Sequence, residues 1–137
     1  MATRANDLLF GRGSEWNNKG VLEKHLGITL SPMGTYDVFD FVNGNNTVYV
    51  ELKTRRIPHD RYDTAIIGAN KVDWCDDPTK TYWFAYCYTD GIYIIKYDKK
   101  VFDTFERKND FQRGVRSDCP NPLQKIVLIP VSALTPI

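Results

Sequence analysis

The arm Thr81-Tyr-Trp-Phe-Ala-Tyr-Cys-Tyr88 is apolar or aromatic at every position after its first. Such a run suits a central β-strand buried on both faces, since a strand with one wet face alternates instead. The sheet that holds it needs a packed layer on each side. Thr89-Asp90-Gly91 signals a turn, and Ile92-Tyr-Ile-Ile-Lys-Tyr97 brings the chain back, so the segment is predicted to be a hairpin.

An earlier hairpin is nearly as clear. Thr35-Tyr-Asp-Val-Phe-Asp-Phe-Val42 and Thr47-Val-Tyr-Val-Glu-Leu-Lys53 are aromatic and β-branched arms around Asn43-Gly44-Asn45-Asn46. Before it, Trp16, Val21, Leu22 and Leu26 fall near helical spacing, with Ser14 fitting an N-cap and Gly27 a C-cap. Between the hairpins, Tyr62 to Trp74 reads as a helix with Ala65, Ile66, Ala69 and Val72 on one side. Lys99 to Asp118 is polar and mixed, with a short helix around Val101 to Arg107, and Lys125 to Val131 is a last strand. The predicted order is helix, hairpin, helix, hairpin, strand: an α/β (α+β) fold with helices flanking one central mixed β-sheet.

At 137 residues the chain is expected to form one domain, residues 1–137. Lys and Arg number 18 against 17 Asp and Glu, so a nucleic-acid partner has to be met by local clustering rather than by bulk charge. Cys75, Cys87 and Cys119 are odd in number and widely spaced, which is neither a disulfide framework nor a zinc pattern. They read as reduced thiols of an intracellular protein. No apolar run approaches the ~20 residues of a membrane span, and the first residues lack the apolar stretch of a signal peptide. No membrane contact is expected.

The chemistry concentrates in Asp37-Val-Phe-Asp40 and Val50-Glu51-Leu52-Lys53. Residues two apart on a strand share a face, so Glu51 and Lys53 point one way and Leu52 the other. A turn centred on Gly44-Asn45 sets Asn43 opposite Asn46. Asp40 then joins Glu51 and Lys53 on their face, one pair along the sheet, while Asp37 faces Leu52. A bulge reverses the assignment and makes Asp37 the ligand. Two carboxylates on neighbouring strands repel unless a cation separates them. Mg²⁺ takes one or two carboxylates and keeps waters for a substrate phosphate. It polarises the phosphoryl oxygen and lowers the pKa of a bound water. Lys53 is placed to orient or deprotonate that water, or to neutralise charge building on the phosphate.

Asp40 followed by Glu51-Leu52-Lys53, after an N-terminal helix, resembles the PD-(D/E)XK nuclease superfamily. Glu51-Leu52-Lys53 matches its E-x-K half, and Phe39-Asp40-Phe41 stands where the family has Pro-Asp-apolar, without the proline. The likeness spans roughly residues 12 to 75, and within the superfamily the chain resembles the phage-type Holliday-junction resolvases and small viral nucleases. It implies a restriction-endonuclease-like core and a DNA endonuclease dependent on Mg²⁺ or Mn²⁺. The implied substrates are branched recombination or repair intermediates, and the implied source is viral. Asp40 and Glu51 would hold the metal, Glu15 of the first helix (more weakly Glu23) would complete the set, and Lys53 would serve catalysis. A resolvase cuts two strands symmetrically, so a C2 homodimer is implied. In this family the helix after the hairpin borders the active site, which puts Lys71 beside the site or on the DNA.

Arg55, Arg56 and Arg61 extend Lys53 into a basic run that can seat a phosphate backbone without reading sequence. The same run also reads as a solvated strand end. His59 lacks a partner pattern for a general base. Asp73, Asp76 and Asp77 miss EF-hand spacing and read as a helix end and turn. The alternating tyrosines Tyr82, Tyr86, Tyr88, Tyr93 and Tyr97 read as core and sheet face rather than a base-stacking platform. A second function class keeps the fold without the chemistry: a nucleic-acid-binding or assembly module.

Overall fold

The computed structural model describes residues 18–34, 37–111 and 123–137. Residues 18–26 form helix α1, and Gly27 ends it in the left-handed region at φ 68°. Strands β1 (Leu30–Pro32), β2 (Phe41–Asn43) and β3 (Val48–Thr54) form an antiparallel meander. Strand β4 (Thr64–Gly68) and helix α2 (Ala69–Asp73) then lead to β5 (Thr81–Tyr88), which lies parallel to β3. Strand β6 (Gly91–Lys96) returns antiparallel, and β9 (Thr135–Pro136) adds the edge, giving the order β1-β2-β3-β5-β6-β9. Helix α3 (Lys99–Phe102) precedes β7 (Glu106–Phe111) and β8 (Leu123–Pro130). These two strands join β4 in a second, antiparallel sheet of order β4-β8-β7.

The fold is thus mixed α+β around a central mixed sheet, but with two sheets where one was predicted. Strands β3 and β5 sit at the centre of the larger one and feed both of its faces. Tyr49, Tyr82, Phe84 and Tyr86 pack with Phe39, Ile67, Val127 and Ile129, so the small sheet and α2 cover one face. Val50, Leu52, Ala85 and Cys87 pack with Leu22, so α1 covers the other. An all-apolar β5 requires those two layers.

Three predicted segments differ. Tyr62 to Trp74 is not one helix: its first half is β4, with Ala65 and Ile67 buried and Ile66 exposed. That is a period of two, and five register pairs with β8 from Thr64↔Pro130 to Gly68↔Ile126 override the local helical spacing. Residues 106–111, expected in a mixed polar segment, form β7. Its Glu-Arg-Lys-Asn-Asp sequence suits an edge strand, where charge discourages pairing with another chain. The helix before it spans only Lys99–Phe102, capped by the Asp98 carboxylate, which accepts the Lys100 N–H at 3.0 Å. The first hairpin arm is strand only over Phe41–Asn43, and residues 37–40 bend. The start of the first predicted helix, with Ser14 and Glu15, lies outside the described residues.

The first hairpin also has a different register. Asn43 Oδ1 accepts the N–H groups of Thr47 at 2.8 Å and Val48 at 3.0 Å, and Asn46 sits at φ 56°. These bonds enlarge the loop, so Phe41 faces Val50 instead of Val48. The slip is even, so the paired residues keep their faces, but Phe39 packs on the α2 side and Phe41 on the α1 side, so strand alternation breaks at the bend before β2. No described helix is long and apolar enough to cross a membrane.

Candidate active site

Strand β3 carries Tyr49, Glu51 and Lys53 on the face covered by α2. Tyr49 is buried in an aromatic cluster, its ring centroid 5.2 Å from that of Trp74 and 5.6 Å from that of Tyr82. Two residues on, Glu51 is only 2% exposed. A carboxylate that deep demands a partner. Lys71 supplies it: its ammonium donates to Glu51 Oε2 and to the Val38 carbonyl, the latter at 2.9 Å. Helix α2 is thereby pinned to β3 and to the bend before β2. Burial pushes the Lys71 pKa down, and the Asp40 charge opposes that shift.

Asp40 lies where β2 gives out. Its N–H donates to the Val50 carbonyl at 3.2 Å, and its Oδ2 accepts the Leu52 N–H at 2.8 Å. With β2 ending at Phe41, the side chain takes the place of a strand partner for Leu52. The ladder ends at Phe41↔Val50, and the Asp40 N–H bond to the Val50 carbonyl leaves Asp40 and Phe41 both against Val50, so the predicted pairing does not extend to Asp40. Both Lys53 and Lys71 feel the Asp40 charge.

Lys53 is half-buried. Burial pushes its pKa below the ordinary lysine value, Arg55 adds to the depression, and Asp40 opposes it. Its ammonium makes no hydrogen bond or ion pair with another described residue. Two lysines are therefore near two carboxylates: Lys71 is paired with Glu51, and Lys53 has no hydrogen bond or ion pair among the described residues.

The other predicted residues are placed differently. Asp37 is exposed and its Oδ2 accepts the Gly34 N–H at 2.5 Å, closing a small loop. A Cβ at Gly34 would come within 2.9 Å of that oxygen, so a larger residue there would push the Asp37 side chain aside. Glu15 lies outside the described residues. Glu23 Oε2 accepts the Leu30 N–H at 2.8 Å, which holds its pKa low, and pairs with Lys19 at 3.3 Å. It ties α1 to β1 on the far side of the sheet. Arg55, Arg56 and Arg61 are exposed along the segment that leaves β3. Lys71, expected beside the site or on the DNA, is turned to Glu51. Asp73 pairs with Arg107 at 2.8 Å, and Asp77 Oδ1 accepts from Thr79, as a helix end and turn would.

His59 has a role the sequence did not suggest. Its backbone N–H donates to Asp90 Oδ1 at 3.0 Å, its Nδ1 lies 2.5 Å from Asp90 Oδ2, and its ring stacks on Tyr93 at 4.4 Å. The Thr89 N–H adds a bond to the Ile57 carbonyl at 3.1 Å. These contacts fasten the basic segment to the β5–β6 turn. Ligand atoms of His59, Asp60 and Asp90 lie within 4.8 Å of one another, but at the surface and with the imidazole already bonded to Asp90. His59→Ala should free the segment, and trypsin should then cut the folded protein after Arg55, Arg56 or Arg61 several-fold faster. Unchanged cleavage rates would mean that the segment is held by other contacts.

No family model matches the sequence, and no curated protein matches it either.

The donor set fits a hard divalent cation. Glu51 Oε2 and Asp40 Oδ2 are engaged by protein, while Glu51 Oε1 and Asp40 Oδ1 have no hydrogen-bond partner among the described residues. Asp40 and Glu51 are the residues that would hold Mg²⁺ or Mn²⁺, ions that take one or two carboxylates. The sequence singled out Asp40, Glu51 and Lys53 as candidates but did not point to the Glu51–Lys71 contact, which spans 20 positions. One cue was present: a glutamate embedded in an apolar strand rarely lies buried without a cation.

Proposed function

We propose that the chain is a DNA endonuclease dependent on Mg²⁺ or Mn²⁺, built on a PD-(D/E)XK-like core. Branched DNA is its proposed substrate and a C2 dimer its working form. One observation carries this reading: buried Glu51 and Lys53 share a face of β3, and the charge of Asp40, in the bend before β2, reaches Lys53 and the lysine paired with Glu51. The core reading draws support from the hairpin that carries both acids, the helix after it whose lysine reaches Glu51, and the parallel β3–β5 pair in a mixed sheet.

When bound, the ion polarises a phosphoryl oxygen and lowers the pKa of a coordinated water. Asp40 and Glu51 would hold it. Lys53 orients the attacking water and neutralises charge that builds on the phosphate. Arg55, Arg56 and Arg61 seat the backbone on the segment that the His59–Asp90 contact fastens. Strand β3 carries Glu51 and Lys53, and Asp40 sits in the bend that precedes β2.

A second reading has an observation of its own. Lys71 already balances Glu51, and Asp40 already satisfies Leu52, so the cluster is stable without a metal. A nucleic-acid-binding or assembly module needs nothing more. Incubation with a four-way junction, linear duplex and supercoiled plasmid separates the two. The nuclease reading expects metal-dependent cleavage, greatest on the junction, and its loss together with the calorimetric Mn²⁺ site in Asp40→Asn. Intact DNA in both Mg²⁺ and Mn²⁺ would favour the module.

A further inference from the structure

A buried carboxylate that is meant for a metal has to be neutralised while the metal is away. We propose that Lys71 is a tethered cation that occupies Glu51 in the metal-free protein and must release it for a divalent ion to bind. The inference rests on the metal reading above and concerns how that site is loaded.

The geometry supplies each part. Glu51 is the most enclosed of the four charged groups, and its only cationic contact among the described residues is Lys71. Lys71 comes from α2, a different element, so it can withdraw without disturbing β3. Its side chain is 22% exposed, against 3% for Glu51, which leaves a route toward solvent. Its second acceptor, the Val38 carbonyl at 2.9 Å, gives the ammonium a hydrogen bond to keep after it leaves the carboxylate. Charge balance gives the driving logic. Asp40 and Glu51 against Lys53 and Lys71 sum to zero, so adding a divalent ion to an unmoved cluster leaves two excess positive charges in a poorly solvated site. Binding is therefore weakened unless Lys71 moves out or an anionic phosphate moves in. On this view the site takes up metal most readily together with DNA, and Lys71 sets the threshold.

Mn²⁺ calorimetry and thermal melts of the full chain test this, using wild type, Lys71→Met and Lys71→Gln. Lys71→Met removes the competing charge and should bind Mn²⁺ about tenfold tighter. Its melting temperature should also rise more on Mn²⁺ addition than that of wild type. Lys71→Gln keeps donors for Glu51 and the Val38 carbonyl but loses the charge. It should shift in the same direction, and it decides the matter should Lys71→Met fail to fold without metal. Equal or weaker Mn²⁺ affinity in the variants, with binding to wild type intact, overturns the competition and leaves the Asp40–Glu51 metal reading standing. Three folded proteins of which none binds Mn²⁺ overturn both.

Discussion

In metal-free buffer, Lys71→Ala should lower the unfolding free energy by about 3 kcal/mol, read from urea denaturation. The substitution strands a carboxylate whose side chain is only 3% exposed. Removing one partner of a fully buried pair typically costs about 3–5 kcal/mol. The partial exposure of Lys71 at 22% places the effect at the lower end. Most of that cost is the penalty on the surviving charge, not the net worth of the pair. Glu51→Leu combined with Lys71→Met should therefore recover most of the loss, within about 1 kcal/mol of wild type. A Lys71→Ala protein as stable as wild type would show that Glu51 finds solvent or another donor.

Lys53→Ala should cut metal-dependent cleavage by roughly 10³-fold, the usual size of losing one well-placed electrostatic group, while leaving the protein folded and able to bind Mn²⁺. The contrast with Lys71 is the informative part. Lys53 makes no hydrogen bond or ion pair among the described residues, so little of the fold depends on its ammonium. Folding depresses the pKa of Lys53, chiefly by burial. Between that lowered pKa and the ordinary 10.5, the unfolded chain binds more protons than the folded one. Stability from this residue therefore rises with pH across that window, and Lys53→Met should flatten the rise in urea midpoints. A cleavage rate unchanged in Lys53→Ala would move the catalytic role elsewhere.

What was legible in the sequence follows the physics of each signal. The apolar β5 announced a two-sided layer, because no other arrangement hides Tyr82 through Cys87. Alternation on β3 put Glu51 and Lys53 on one face whatever the loop did. Strand β4 was hidden because Ala65, Ile66, Ala69 and Val72 also satisfy a helical spacing, and only pairing with β8 decides between the two. β7 was hidden because an edge strand of Glu, Arg, Lys, Asn and Asp has no apolar alternation to read. The Glu51–Lys71 and His59–Asp90 contacts join residues 20 and 31 positions apart, and local patterns do not encode such closures.

The loop of residues 44–47 has a consequence for how this chain tolerates insertions and deletions. Sheet side chains repeat every two residues. Lengthening or shortening the loop by two slides β2 along β3 yet leaves the paired residues on their faces. A single-residue change would turn over the β2 residues that pair with β3 and take Phe41 out of the Leu22 layer. Variants of this hairpin that stay folded should therefore differ in loop length by even numbers.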